Sequence, residues 1–285
     1  MQAVEYRAGL LIFDDLELFK RAVDETGFIF DFQSLSKLNV NFLKSSDQNL
    51  ILLLKDYEGD FNNILFLSER EAFLYTKSPP PVDAFKTYDR VYGKPYGKST
   101  VLAFLTLNKV LLSYRTKLEA LINCMRGLEE DFDAKRYRDL TLEFERLIDK
   151  VEDFHDILLR LEERQIREVE TRYLSFDYSI LIAESNGLLD RCRHRLSMLR
   201  EIAWDYEMQT TRELNRRIER LNDVVKRLTA LTLILMIPTL IASHFGMNFE
   251  YMPELRIPWA YPAVIVVQAL IAVMAIFILR RIGWL

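Results

Sequence analysis

Cysteine is scarce in this chain. The 285 residues hold two, Cys124 and Cys192. They are too few and too far apart for a disulfide framework or a CxxC metal site. Both read as buried or neutral thiols in a reducing compartment. A cationic excess is also missing, because 38 Lys and Arg face 42 Asp and Glu for a net charge of −4. Polyanion binding needs a basic surplus or a concentrated basic face, so a general nucleic-acid binder is excluded. No apolar stretch opens the chain in the manner of a signal peptide. No nucleophile–base pair or metal-ligand cluster stands out, which argues against an enzyme. Disorder is excluded by a composition that is half hydrophobic. The mean hydropathy of −0.02 averages two unlike parts.

The apolar residues are concentrated at the C-terminal end. Leu228 to Phe245, LTALTLILMIPTLIASHF, is 18 residues without a formal charge. Trp259 to Leu279, WAYPAVIVVQALIAVMAIFIL, is another 21. At 1.5 Å per residue these reach roughly 27 and 31 Å, close to a bilayer's hydrocarbon thickness. A 13-residue loop, GMNFEYMPELRIP, joins them. The spacing predicts two transmembrane helices rather than two buried core helices. Lys226 and Arg227 precede the first span and Arg280 and Arg281 follow the second. The loop carries Glu250 and Glu254 against Arg256. The positive-inside rule therefore places both termini in the cytoplasm of a multi-pass cell-membrane protein, with the acidic loop outside. Trp259, Tyr261 and Trp284 fit as interfacial anchors.

The preceding 227 residues divide by periodicity. Residues 1–98 mix short apolar runs with helical pieces. GLLIF from Gly9, FIFDF from Phe28 and LILLL from Leu50 read as strands of a covered sheet. Ile64 to Thr76 reads as a hairpin turning at Ser68-Glu69-Arg70. Helices are predicted over Asp15 to Thr26 and Ser34 to Ser45, with Asp15 and Ser34 as N-caps. Ser78 to Pro81, SPPP, is an extended breaker. This makes a small cytoplasmic α/β domain.

From Ser99 the period becomes helical. Residues 99–130 form one apolar-striped helix. Leu140, Phe144, Leu147, Val151, Phe154, Leu158 and Leu161 form a heptad seam on the next. A third helix runs from about Glu170 to Phe245, with a possible bend at Gly187. Its lower seam of Leu214, Ile218, Leu221, Val225 and Leu228 continues directly into the first span, so subunits are expected to associate around it. The fold class is thus an α+β membrane protein: a cytoplasmic α/β domain (1–98), a stalk of long antiparallel helices (99–227) and a transmembrane hairpin (228–285).

Two motifs invite stronger readings. Gly93 to Ser99, GKPYGKS, imitates a phosphate loop. It has three residues between its first glycine and the GKS tail where that loop needs four, and Pro95 lacks an amide donor. No nucleotide is expected; the stretch is a basic linker with Ser99 capping the next helix. Glu152, His155 and Asp156 lie within one turn, yet a solvated face explains them better than a metal.

The first span carries a polar stripe. With Asn222 at zero and about 100° per residue, Thr229, Thr232, Met236, Thr239 and Ser243 fall within an arc about 80° wide. Lipid disfavours such a stripe, so it faces protein or water. One reading is tight packing through small residues. The other is a hydroxyl-lined pore with apolar constrictions at Met236 and at the Val225/Leu228 level. Hydroxyls near Pro238 are placed to satisfy the carbonyl its ring leaves free. The second span has only Gln268 in its middle and reads as an outer, lipid-facing helix.

The stretch FGMNFEYMPEL, from Phe245 to Leu255, closely resembles the signature of CorA-type magnesium transporters. Gly246-Met247-Asn248 matches the family's GMN motif at the outer end of the first span. The Asn222 to Thr229 approach and the terminal Gly283-Trp284-Leu285 agree as well. The specific match covers about the last 65 residues, and only the architecture agrees over the rest. The acidic loop after GMN favours the magnesium/cobalt type over the zinc branch.

The resemblance implies a funnel-shaped homopentamer whose first spans line a central pore for divalent cations. Magnesium releases its waters reluctantly. A ring of Asn248 carboxamides can bind the waters of a hydrated ion without trapping it. Gly246 would let the backbone turn and approach closely. Glu250 and Glu254 would gather cations, Asn222 would add an inner amide ring, and Lys226, Arg227, Arg280 and Arg281 would form a basic collar. An inside-negative potential would drive uptake, with Mg2+ as both cargo and regulator. The regulatory ligands are unassigned; Asp149, Asp153, Glu184 and Asp190 are candidates. Transport of Co2+, Ni2+ or Zn2+, including efflux, and a non-conducting coiled-coil scaffold are the alternatives.

Overall fold

The computed structural model describes residues 4–7, 9–38, 40–46, 48–57, 62–163, 166–247 and 252–284. They form two compact units, Met1–Trp204 and Asp205–Leu285. In the first unit the elements run β1 (Val4–Arg7), β2 (Leu10–Phe13), α1 (Leu16–Glu25), α2 (Phe32–Ser36), β3 (Phe42–Ser46), β4 (Asn49–Lys55), β5 (Asn62–Ser68), β6 (Ala72–Tyr75), α3 (Val82–Lys86), α4 (Gly97–Glu130) and α5 (Ala134–Glu162). A 3-10 turn, Thr171–Leu174, leads into α6 (Ser175–Phe245).

The sheet has the order β1-β2-β6-β5-β4-β3 and is antiparallel except where β2 runs parallel to β6. Its central strands β4 and β5 carry unbroken apolar runs, Leu50–Leu54 and Ile64–Leu67, because both faces are covered. Leu50, Leu52 and Leu54 of β4 and Leu65 and Leu67 of β5 point into one core with α4. Ile51, Leu53, Ile64 and Phe66 point into the other, with Phe19 and Val23 of α1 and Phe32 and Leu35 of α2. That second core is aromatic: Phe19 meets Phe13 and Phe32 edge-on at 5.8 and 5.2 Å, the geometry ring quadrupoles favour.

Several predicted elements are present. β2, β4, the β5–β6 hairpin and α1 lie where the patterns put them. Asp15 caps α1 by accepting from the Glu17 amide at 2.8 Å. Other elements differ. FIFDF is not a strand: Phe28 and Phe30 pack their rings onto the aromatic core while Ile29 is exposed, and Phe32 opens α2. Alternation there reflects rings laid on a core, with no strand pairing. The helix predicted over Ser34 to Ser45 is only Phe32–Ser36, capped by Asp31 and not by Ser34, whose amide donates to Asp31 at 3.0 Å. The chain then turns into β3, which pairs with β4. Asn41 fixes that entry by accepting from the Lys55 amide at 2.9 Å.

The helices match the periodicity more closely. All seven seam residues of α5 are buried. A three-residue link, Asp131 to Asp133, returns the chain antiparallel to α4, with Asp133 as N-cap. Helix α6 passes Gly187 without interruption. Cys192 is buried, which pushes its thiol up to about 11, whereas Cys124 is exposed.

The GKPYGKS stretch is packing machinery. Tyr96 takes a left-handed φ of 59° as N-cap of α4. Ser99 lies inside the first turn instead of capping it, and donates to the Ser68 carbonyl at 2.6 Å. Lys94 sits 4.5 Å over the Tyr173 ring, and Lys98 donates to the Arg70 carbonyl at 3.1 Å. Gly97 is required sterically, since a Cβ there would collide with the Val91 carbonyl. Gly97→Ala is therefore expected to cost about 1–3 kcal/mol by overpacking, readable as a lowered thermal midpoint of the solubilised chain.

A polar cluster ties sheet to helices. Glu143 of α5 accepts from Lys117 of α4 at 2.8 Å, from the Tyr57 hydroxyl at 3.0 Å and from Arg146 at 3.1 Å. The Lys117 hydrogen bond leads in holding its carboxyl below the usual range. A lowered folded-state pKa stabilises above the carboxylate range, and that contribution disappears as pH falls through it. Glu143→Gln should lower the melting temperature at neutral pH, and the gap from the parent should narrow as the pH falls through and below the carboxylate range.

Candidate functional site

The second unit contains the rest of α6, a 3-10 turn at Pro253–Arg256 and α7 (Ala260–Ile282). From Leu228 on α6, and through most of α7, large apolar side chains stand exposed. Leu228, Leu235, Met236 and Leu240 of α6, and Leu270, Val273 and Phe277 of α7, are each more than half exposed. Only 6% of the most apolar stretch of either helix is buried, and both are long and apolar enough to cross a membrane. That burial is far too small for core helices of a water-soluble domain. The seam of Leu214, Ile218, Leu221, Val225 and Leu228 is likewise exposed along its length.

Four residues of the polar stripe share one shallow groove. Thr232, Met236, Thr239 and Ser243 line it together with Leu235 and Leu240. Asn222, Val225, Leu228 and Thr229 lie nearer the start of the apolar run, exposed and outside that groove. The hydroxyls have a definite orientation. Thr232 donates to the Leu228 carbonyl at 2.9 Å and Thr239 to the Leu235 carbonyl at 2.7 Å. Each proton is thus spent inside the helix, which leaves oxygen lone pairs as the group presented outward. Pro238 cannot donate to the Ile234 carbonyl. The Thr239 hydroxyl goes to the neighbouring Leu235 carbonyl, so it does not fill that vacancy.

Gln268 departs from the expected lipid-facing role of α7. Its side-chain amide donates to the Pro238 carbonyl at 3.3 Å. An amide in hydrocarbon needs a partner, and this one finds it on α6 at the proline. Beyond this contact a cavity of about 660 Å³ separates the ends of the two helices, between Ala242, Phe245 and Gly246 on one side and Tyr261, Val264 and Ile265 on the other. Sequence reading missed the contact. The signal for it was the isolation of one carboxamide in an otherwise apolar span.

Helix α6 ends at Phe245. The Gly246 amide donates to the Ala242 carbonyl at 3.0 Å, and the Met247 amide to the His244 carbonyl at 3.4 Å. The chain turns at Gly246 without the left-handed conformation that glycine favours. Its φ is not positive, and an added Cβ would meet the Ala242 carbonyl at an ordinary 3.4 Å. Asn248 and Glu250 lie outside the described residues. Glu254 falls in the Pro253–Arg256 turn.

At the other end, Gly283 takes φ 75° and closes α7, with the Trp284 amide donating to the Leu279 carbonyl at 2.9 Å. This left-handed cap satisfies terminal carbonyls that Arg280 and Arg281 also complement electrostatically. Lys226 is 3.8 Å from Asp223; Arg227 follows on the same helix.

Among the described residues, no group of three or more His, Cys, Asp or Glu is placed to share a metal ion. In the first unit, Glu152 pairs with Arg193 at 2.6 Å and His155 Nδ1 is 2.7 Å from the Ser185 hydroxyl. Glu184 pairs with Arg115 at 3.2 Å. Asp153 has its carboxyl raised by burial first and by Asp149, Asp156 and Glu152 next.

Comparison with known proteins places these features in a lineage. The family described as CorA-like Mg2+ transporter protein matches residues 100–281. A Campylobacter jejuni protein named magnesium transport protein CorA is 27% identical over 172 residues, 54% of this chain and 50% of that protein. A Thermotoga maritima protein named cobalt/magnesium transport protein CorA is 48% identical over 64 residues, 22% of this chain and 18% of that one. The matched stretches thus span half or less of these relatives. The solved CorA magnesium transporter of Methanocaldococcus jannaschii aligns with a TM-score of 0.56 at 18% identity, covering 97% of this chain and 91% of the other. At that identity the likeness concerns the fold.

The Gln268 contact is open to direct measurement. Gln268→Leu should lower the hairpin's resistance to denaturing detergent by about 1 kcal/mol, the usual value of an interhelical hydrogen bond in a membrane. An unfolding curve identical to the parent's would show that the bond contributes nothing.

Proposed function

Because the chain belongs to the CorA-like Mg2+ transporter family, we propose that it passes hydrated divalent cations, Mg2+ foremost, through a pore that copies of α6 enclose. One observation carries the reading. Thr232 and Thr239 spend their hydroxyl protons on carbonyls one turn back. A hydrated cation holds its waters oxygen-inward, so the hydrogens point out. A wall of lone pairs accepts from those hydrogens and supports the ion without stripping its shell, which suits a metal that dehydrates reluctantly.

The remaining roles follow along the helix. Gly246, Met247 and Asn248 form the selectivity motif at the outer mouth, where Asn248 carboxamides accept from the ion's waters. Glu250 and Glu254 raise the local cation concentration. Thr229, Thr232, Thr239 and Ser243 line the passage. Met236 and the Val225/Leu228 level are apolar constrictions that close by dewetting. Asn222 adds an inner amide ring. Lys226, Arg227, Arg280 and Arg281 form a basic collar at the cytoplasmic face and fix both termini there.

The partners are the bilayer and further copies of the chain. The exposed seam from Leu214 to Leu228 supports self-association, and the family architecture makes a funnel-shaped homopentamer the natural count. Residues 1–98 and 99–227 serve as cytoplasmic domain and stalk, and 228–285 as the conducting hairpin. The potential does the work: about 2.3 kcal/mol per charge per 100 mV is doubled for a divalent ion. Uptake into the cell then needs no nucleotide. Cytoplasmic Mg2+ acts as a regulator that biases the pore toward its closed state.

Proteoliposome flux at clamped potential, with Mg2+, Co2+, Ni2+ and Zn2+ in turn, tests the reading. Mg2+ flux is expected in the parent and a loss of at least about tenfold in Asn248→Ala. Unaltered Mg2+ flux and selectivity in that variant, at normal expression, would leave the hairpin as a mere anchor. A parent conducting only Co2+, Ni2+ or Zn2+ would reassign the cargo.

A further inference from the structure

The cavity of about 660 Å³ between the ends of α6 and α7 has an almost wholly apolar wall. Of the side chains lining it, only Tyr261 and Gln268 carry polar atoms. They are seven residues apart on α7, roughly 10 Å. Between them the wall is Val264 and Ile265, with Ala242 and Phe245 on the α6 side. The Gln268 amide is already engaged with the Pro238 carbonyl at 3.3 Å. A buried water needs two to four polar partners, and no side chain between the two ends offers one. A protein cavity of about 150 Å³ with such a lining stays dry and takes up benzene; this one is several times larger. Nothing in a membrane forces the gap shut. Lipid is as apolar as the helices, so they gain no hydrophobic drive to meet. An unfilled gap would also forfeit the dispersion contacts of its walls.

From this lining we propose that the cavity is a lipid site, which takes one acyl chain of a phospholipid in the leaflet where α7 begins. A polymethylene chain asks for no hydrogen bond and meets aliphatic walls by dispersion alone. The depth fits a single chain. Gln268 lies near the middle of the 21 uncharged residues Trp259–Leu279. The cavity therefore runs from the first turn of α7 to about the mid-plane, within the roughly 15 Å hydrocarbon depth of one leaflet. Tyr261, exposed at the shallow end, stands at the level of a lipid's ester groups, where tyrosine is enriched in membranes. The direction in which the cavity opens rests on the pore proposed for the hydroxyl stripe. Ala242 and Phe245 lie about 100° and 160° around α6 from Ser243. With the stripe toward a shared axis, the cavity is turned away from the water-filled side and toward lipid.

The test uses the full chain in nanodiscs of phosphatidylcholine that carries a photoactivatable diazirine midway along one acyl chain, with labelled residues mapped by mass spectrometry. Label is expected on Val264 and Ile265 inside the cavity, and on Leu270 and Phe277, which stand exposed farther along α7. Ala242→Trp fills the cavity and should lower the label on Val264 and Ile265 at least about fivefold. Leu270 and Phe277 should keep theirs, which a misfolded hairpin would not do. The smaller Ala242→Leu should act in the same direction by about twofold, and it decides the matter if Ala242→Trp loses label everywhere. Equal labelling of Val264 and Ile265 in the parent and both variants overturns the inference, since those residues would then be meeting bulk lipid around the hairpin. So does an unlabelled cavity beside labelled Leu270 and Phe277, which would mean that the helices close on each other or that a second copy fills the gap. No measurement here reads ion flux, so this result and the flux of Asn248→Ala stand or fall separately.

Discussion

Every donor in the hydrocarbon-spanning part of this chain must be satisfied within the protein, and that requirement shapes the whole second unit. Threonine hydroxyls fold back on carbonyls one turn earlier. The single carboxamide of α7 crosses to α6. The last carbonyls of α7 are closed by Gly283 and Trp284. The outward lone pairs of Thr232 and Thr239 follow as a by-product. A threonine that has spent its proton inside the helix can offer only acceptors, and acceptors are what a hydrated cation seeks. The chemistry proposed for the pore thus comes from the same rule that lets the helix enter the membrane.

The first unit solves a different problem. Its sheet is covered on both faces, so β4 and β5 carry near-unbroken apolar runs with alternate residues assigned to opposite cores. Such runs are legible from composition alone, as is the α5 seam, whose 3-4 spacing admits one buried face. The FIFDF segment was not legible, because rings alternating over a core and a strand alternating across a sheet share a period of two. Nor was the switch from α2 to β3 near residue 40. Its cause is pairing with β4 and the Asn41 contact to Lys55, and neither is local in sequence.

The candidate site divides along the same line. The hydroxyl stripe was legible because helical period alone fixes which residues share a side. The direction of each hydroxyl proton was not, since it depends on a rotamer. Gln268 required knowing which side of α7 meets α6. The role of Gly97 needed the position of the Val91 carbonyl, six residues away in sequence yet in contact in space. The GMN glycine shows the opposite limit. Its type suggested a tight turn, but the described residues leave room for a methyl group at Gly246, and the sequence could not show that.

The two thiols differ in a way that experiment can exploit. Cys192 is enclosed and holds its proton to about pH 11, whereas Cys124 stands open on α4. Thiolate is the reactive form and needs access as well as ionisation. A maleimide dye or nitroxide applied near neutrality will mark Cys124 and spare its counterpart. The unaltered chain therefore comes with one addressable point on the long α4 helix, to which a spectroscopic probe can be fixed without mutation.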